Sequence, residues 1–504
     1  MRRWRGSVAA LAGLGALVAA EVVVRWPGFT VGGFASHDVG GILYNAMLLR
    51  AGRLPFVDSV EMKAPGSFYL AALLAGPEGR DIDAFQVWAN GWALASLVAV
   101  FGLGWALWGP RAALAAATVY ALGDALLDSM DANYVTWAQL PQILAMAAAL
   151  AASRARGRAA LAGWVGAGAL AGATALCKQP TGIVLLPVLG WALLGGRGRG
   201  LGWAVAAAAV GGFLAAHVPI ALHYGARGHL GDLLRGYVGS PWGIRYVAHG
   251  LSSETAGSAL AEWALASAYF VALPLVLAAF TGLPRAERRR GSPTLWLWIW
   301  ALAMLVGAAV GLRFFKGYFL AAAPALALLA SAPWGALGPG RRGWPRALAL
   351  GIAAILALRS ASMVADVRAD RARPHDAGAQ AIARHVAAES PPGSTIWVWG
   401  WHLWGVYALS DRLAGSRVYK SLGLLTPPEV GTWRRPAPRL TFDRASPWAE
   451  VVVEELAASR PAFVILGGTV PREDFGALRE LLGEGYVRDR RIRVGRVEIW
   501  RRRE

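Results

Sequence analysis

The sequence predicts a polytopic α-helical membrane protein with about 11 transmembrane helices and a small C-terminal α/β extracytoplasmic domain. Three observations lead there. Of the 504 residues, 56% are hydrophobic and only 16% charged, against about 45–50% and about 25% in ordinary globular chains. Between residues 7 and 361 the apolar stretches repeatedly reach the length that a helix needs to cross hydrocarbon, roughly 17–25 residues. The breaks between them carry arginine clusters, which mark cytoplasmic loops. Those clusters hold much of the net charge of +19. No basic stripe with interleaved aromatics stands apart from them, so nucleic acid is excluded as a partner. The single cysteine, Cys177, forms no intramolecular disulfide and no zinc pattern.

The elements follow in order. A basic start, Arg2-Arg3-Trp4-Arg5, precedes the apolar run Val8 to Val24. That run is long for a signal peptide, and Ala19-Ala20-Glu21 is a poor cleavage site. It reads as an uncleaved first span over about 7–25, with the N-terminus in the cytoplasm. A long connection, 26–83, forms the first outer loop. Span 84–107 returns to Gly109-Pro110-Arg111, span 112–127 goes out, and span 135–152 comes back to Arg154, Arg156 and Arg158. Spans 159–176 and 181–195 meet at Cys177-Lys178-Gln179-Pro180 and end at Arg197-Gly198-Arg199. Span 201–222 leads to a long loop, and span 258–282 ends at the cluster Arg285 to Arg290. Spans 294–311 and 318–332 flank Arg313 to Tyr318, and after Arg341, Arg342 and Arg346 a last span covers 347–361. This weave puts every strong arginine cluster inside and the remainder, 362–504, outside. The expected division is therefore a transmembrane part, 1–361, and an extracytoplasmic part, 362–504. In the latter, strand-like runs at 395–399, 462–466 and 497–500 alternate with helical patterns at 376–388 and 474–482, the signature of a small α/β unit.

Ionisable groups near a bilayer are costly, so their placement points to function. Three clusters share the expected outer face. The first connection holds His37-Asp38, Asp58, Glu61 and Lys63. Asp124, Asp128 and Asp131, followed by Asn133-Tyr134, have the i, i+4, i+7 spacing of one helical face. Lys178, Arg313 and Lys316 form a cationic group, with Arg235 and Arg245 in the long loop. Carboxylates opposite cations suit transfer of a group from a phosphate: a base deprotonates the acceptor, and cations neutralise the departing phosphate. The same oxygens can hold a divalent metal, for which His37 and Glu61 are the candidates. Plainer roles compete. Asp38 fits a helix N-cap, Lys63 and Lys178 fit snorkelling side chains, and Arg313 and Lys316 fit membrane-edge anchors.

The stretch His37-Asp38, Tyr44-Asn45-Ala46, Arg50 to Asp58, and Glu61-Met62-Lys63-Ala64-Pro65-Gly66 to Tyr69 resembles the first outer loop of GT-C integral-membrane glycosyltransferases. Protein O-mannosyltransferases and lipid A aminoarabinose transferases are among them. Cys177-Lys178-Gln179-Pro180-Thr181 is similar to their lysine-bearing junction, Arg313 to Leu320 to their late outer motif, and Val398-Trp399-Gly400 with Tyr407 to Arg412 to the opening of their outer domain. The resemblance implies a GT-C fold in the bacterial cytoplasmic (inner) membrane. It implies inverting transfer of a sugar from a polyprenyl-phosphate donor to an envelope lipid, glycan or protein. It further implies Asp38 as the catalytic base, Asp128 or Asp131 as a second acidic residue, and donor-phosphate binding by Lys63, Lys178, Arg313 and Lys316. Two departures stand out: His37-Asp38 replaces an acidic pair, and Gly317 replaces a histidine. The rival expectation is a transporter or lipid-linked sugar flippase. Against it, the charges gather at span ends, and the chain shows no pair of matching halves.

Overall fold

The computed structural model describes residues 2–29, 37–194, 202–252, 256–280, 292–336, 377–400, 403–421, 423–427, 442–467 and 474–504, and within 351–369 residues 351, 354–355, 357–362, 365–366 and 369. Among them, five helices are long and apolar enough to cross a membrane: Ser7–Val24, Ile82–Trp108, Tyr134–Arg154, Gly157–Cys177 and Gly202–Gly225. Shorter apolar stretches, Gln179–Leu194, Pro293–Ala308 and Lys316–Ala332, complete that set. Pro110–Asp124 and Ala256–Phe280 are also helical where spans are expected. The last expected span, 347–361, is described only in part, with 357–362 helical. The loops bearing Arg197 and Arg199, Arg285 to Arg290, and Arg341 to Arg346 lie outside the described residues.

Local chemistry sets the helix ends. The Asp81 carboxylate caps Ile82–Trp108 by accepting the Ala84 N–H at 2.9 Å, which satisfies one of the unpaired N–H groups of a first turn. The helix stops at Gly109, whose φ of 90° suits glycine, and Pro110 opens the next helix with its φ already set. Gly157–Cys177 and Gly202–Gly225 approach backbone to backbone. A methyl group on Gly168 would overlap the Ala209 carbonyl, and one on Gly172 would lie 2.5 Å from the Phe213 oxygen. Small residues allow this close packing where lipid removes the ordinary hydrophobic drive.

One expectation needs correction. The third span ends at Asp124, where a short 3-10 turn, Ala125–Leu127, leads to Asp128 in the left-handed region at φ 63°. Asp124, Asp128 and Asp131 therefore do not share a helical face. The connection 26–83 is largely folded, with helices His37–Arg50 and Gly66–Leu74.

The C-terminal part carries a four-stranded sheet of order β1 (Ile396–Trp399), β2 (Phe463–Leu466), β4 (Glu498–Arg502), β3 (Tyr486–Arg488). Strands β1 and β2 run parallel, and the other pairings are antiparallel. The helix Trp448–Ser459 lies in the connection from β1 to β2. That helix and β3 are absent from the sequence reading; the strands near 396, 463 and 498 and the helices Ala377–Glu389 and Gly476–Gly485 match it. Strands β1 and β2 are buried along their whole length. One face of the sheet shares its core with Tyr44 and Leu48 of the helix His37–Arg50, so the sheet and the first connection pack as one body.

Gly168→Leu is expected to cost at least about 3 kcal/mol through forced separation of its helix pair. A thermal melt in detergent checks this, and Gly166→Leu, with no atom within 4 Å of its added carbon, should melt as the parent does.

Candidate functional site

Asp38 lies in the first turn of the helix His37–Arg50. That helix is wedged tightly: a methyl on Gly40 would meet the Gly405 nitrogen at 2.9 Å. Tyr44 stacks on Tyr419 with ring centroids 4.1 Å apart. On the bundle side, the Asn133 amide donates to Asp38 Oδ2 at 3.4 Å, while its own carbonyl oxygen accepts the Tyr134 N–H at 2.7 Å and caps Tyr134–Arg154. The side chain of His37 lies outside the described residues.

Lys63 and Lys178 come from stretches more than a hundred residues apart and meet at one junction. The Gln179 amide donates to the Met62 carbonyl at 2.7 Å, and Ser67 Oγ donates to the Cys177 carbonyl at 3.1 Å. A methyl on Gly66 would lie 2.5 Å from the Leu176 oxygen, so only glycine permits this seam. Lys63 lies 5.6 Å from the centre of the Tyr134 ring, and Lys178 lies 3.8 Å from that of Tyr318. Burial pushes the Lys178 ammonium down to about 7, Lys63 adds to the shift, and Asp38 opposes it. The three groups therefore share one electrostatic neighbourhood.

Beside them is a buried ion pair that local sequence patterns do not reveal. Lys420, from the segment after β1, contacts Glu61 at 2.5 Å, with side chains 5% and 0% exposed. Glu61 also accepts from Tyr419 Oη at 2.7 Å, the Met62 N–H at 2.8 Å, the Lys63 N–H at 3.2 Å and the Asn45 amide at 3.5 Å. Burial alone raises its carboxyl, yet Lys420 and the N–H and hydroxyl donors outweigh that and hold Glu61 below the usual carboxylate range. Burial draws the Lys420 ammonium down, and the Glu61 carboxylate beside it opposes that shift. A divalent metal at Glu61 would have to displace Lys420. Among the described residues no group of three or more His, Cys, Asp or Glu side chains is placed to hold one.

The remaining candidates form a neighbouring group. Arg25, 1% exposed, donates to Glu21 at 3.1 Å, to the Ser129 carbonyl at 3.2 Å, to Ser129 Oγ at 2.7 Å and to Asp124. That capture pins the turn that follows Asp124. Asp128 pairs with Lys316 at 2.8 Å, both half-exposed, so an expected second acidic residue and an expected phosphate ligand neutralise each other. Asp131 accepts from the Gln86 amide at 3.3 Å in a buried setting. Arg313 is buried, in a tight turn where Leu312 and Phe314 have φ of 54° and 52°. The late motif reaches Lys178 through Tyr318 instead.

One signal in the sequence identifies Lys420. Only four of the 50 Lys and Arg residues are lysines: Lys63, Lys178, Lys316 and Lys420. All four are engaged at this end of the bundle. In a chain that otherwise uses arginine, a lysine marks a place for a compact point charge rather than a planar fork.

No protein-family model matches the chain, and no curated protein matches it in sequence. Its fold does match solved structures. ArnT from Cupriavidus metallidurans in the apo state gives a TM-score of 0.62 over 98% of this chain and 98% of that one, at 15% identity. ArnT bound to undecaprenyl phosphate gives 0.59 over 96% and 97%, at 16% identity. The oligosaccharyltransferase AglB from Archaeoglobus fulgidus, in complex with an inhibitory peptide and a dolichol-phosphate, gives 0.53 over 91% and 69%, at 16% identity. At such identities the likeness is one of fold alone: the chain shares the fold of ArnT and AglB.

Proposed function

We propose that this chain is an inverting glycosyltransferase that moves a sugar from a polyprenyl-phosphate carrier to a hydroxyl of a lipid, glycan or protein at the outer face of a bacterial cytoplasmic membrane. The observation that carries this reading is the convergence of Lys63 and Lys178 on one seam beside the helix that bears Asp38. The lipids bound in solved structures of this fold, undecaprenyl phosphate with ArnT and dolichol-phosphate with AglB, support a polyprenyl phosphate as the carrier. In this reading residues 1–361 form the membrane part, 26–83 its first outer loop, and 362–504 the extracytoplasmic part.

Asp38 takes the acceptor hydroxyl's proton as that oxygen attacks the anomeric carbon opposite the phosphate. The new C–O bond forms while the bond to the phosphate oxygen breaks, and the electron pair leaves with the polyprenyl phosphate. Attack from the opposite side inverts the anomeric configuration. Lys63 and Lys178 neutralise the charge growing on the phosphate, which lowers the barrier because that charge is greatest in and after the transition state. Tyr134 and Tyr318 present their ring faces to the two ammonium groups. Asp128 and Lys316 form a second charged pair, with Lys316 two residues before Tyr318 on the same stretch.

Asp38→Asn should retain membrane insertion and lose at least about a hundredfold in transfer of labelled sugar, the usual scale of a missing general base; undiminished transfer removes Asp38 from the role. A second expectation concerns pH. Lys178 is charged below about 7 and neutral above it, and a phosphate monoester is fully ionised above its second pKa of about 6. Affinity for undecaprenyl phosphate in nanodiscs should therefore fall at least about threefold as pH rises from about 7 to about 9. Lys178→Arg, charged throughout, should flatten that slope.

A further inference from the structure

The phosphate-gripping reading leaves one conspicuous group unused, the buried pair of Lys420 and Glu61. Glu61 is two residues from Lys63, and one of its oxygens accepts the backbone N–H groups of both Met62 and Lys63. The Met62 carbonyl is in turn the acceptor for Gln179, the neighbour of Lys178. The carboxylate thus fixes the backbone at the seam where the two lysines meet. What fixes the carboxylate comes from the other end of the chain. Lys420 and Tyr419 both bind its second oxygen, and Lys420 is boxed by Trp242, Trp404 and Tyr419, with ring centres 5.2, 5.3 and 5.1 Å from its ammonium.

We propose that Lys420 is a positioning residue of the transferase site, acting through Glu61 to hold Met62 and Lys63 in the geometry that grips the carrier phosphate. The inference rests on the functional reading above, and it assigns the C-terminal unit a part in donor binding. An ion pair serving stability alone would be replaceable by apolar residues of similar size at little cost. A positioning role is not, because the two N–H groups lose their acceptor.

The test uses the full-length protein in nanodiscs, undecaprenyl phosphate as the probe, its Kd by native mass spectrometry, and the thermal midpoint as the measure of folding. Lys63→Met sets the reference, with an expected loss of about tenfold or more in affinity. Lys420→Met should weaken binding about tenfold. Because it also leaves Glu61 buried without a counter-charge, the paired variant Glu61→Met/Lys420→Met is the decisive one. It should remain folded, melting somewhat below the parent because Tyr419, Asn45 and the two N–H groups lose an acceptor, and still bind about tenfold more weakly. Adding Lys63→Met to that pair should cost no more than about twofold beyond Lys63→Met alone, since Lys420 acts through Lys63. Parent-like affinity in the folded paired variant overturns the proposal. So do losses that multiply in the triple variant, which would mean that Lys420 acts independently of Lys63. If the parent fails to bind undecaprenyl phosphate, or Lys63→Met binds as the parent does, the functional reading falls and takes this proposal with it.

Discussion

A charge taken out of water has to be met by an opposite charge, and this chain meets that requirement twice at the same end of its bundle. Arg25 faces Glu21 and Asp124 at the end of the first span, and Lys420 faces Glu61 beneath the C-terminal unit. Removing one partner of such a pair typically costs about 3–5 kcal/mol, a large share of a domain's net stability. Each pair therefore behaves as a fixed joint. The first ties the opening helix to the turn at 124–131, and the second ties the C-terminal unit to the loop that carries Lys63. The helix with Asp38 lies between them, braced by Gly40 against Gly405 and by Asn133 on the bundle side.

Rigid joints serve the proposed chemistry because groups already aimed at developing charge need no reorganisation when it appears. Two lysines on flexible four-carbon stems would be poor instruments without such support. Here the stem of Lys63 leaves a backbone held by Glu61, and that of Lys178 leaves a helix end sealed against Gly66 and Ser67. The low protonation point of Lys178 follows from the same enclosure. An ammonium poorly solvated while empty has more to gain from an anionic ligand, so the burial that weakens its charge also sharpens its preference for phosphate.

Much of the membrane part was legible in the sequence because its signals are local. Apolar length, arginine clusters and the Gly109-Pro110 boundary each act over a few residues, and the helices start and stop close to where those signals fall. The aspartate cluster was misread for a reason outside its own stretch. Spacing alone favours a continuous helix from Asp124 to Asp131, but Arg25, a hundred residues earlier, captures Asp124 and Ser129 and turns the chain. Strand β3 was missed because its burial does not alternate, with Tyr486 buried and both following residues exposed. Asp38, Lys63 and Lys178 were singled out for their chemistry and the resemblance, and the fold brings them into one neighbourhood. Lys420 was passed over because pairing across 359 residues leaves no periodic trace. The scarcity of lysine was its one signature.

The central claim is that a polyprenyl phosphate binds where Lys63, Lys178 and Tyr318 converge. The most direct measurement is photo-crosslinking with undecaprenyl phosphate carrying a diazirine on its first isoprene unit, followed by peptide mapping. The account predicts labelled peptides within 56–69, 178–184 and 313–322, and loss of that labelling in the Lys63→Met/Lys178→Met protein. Tyr134–Arg154 runs for 21 residues away from the site, about 30 Å at the rise of an α-helix. Labelling confined to its far end, around Arg154 to Arg158, or labelling indifferent to the two lysines, would contradict the account.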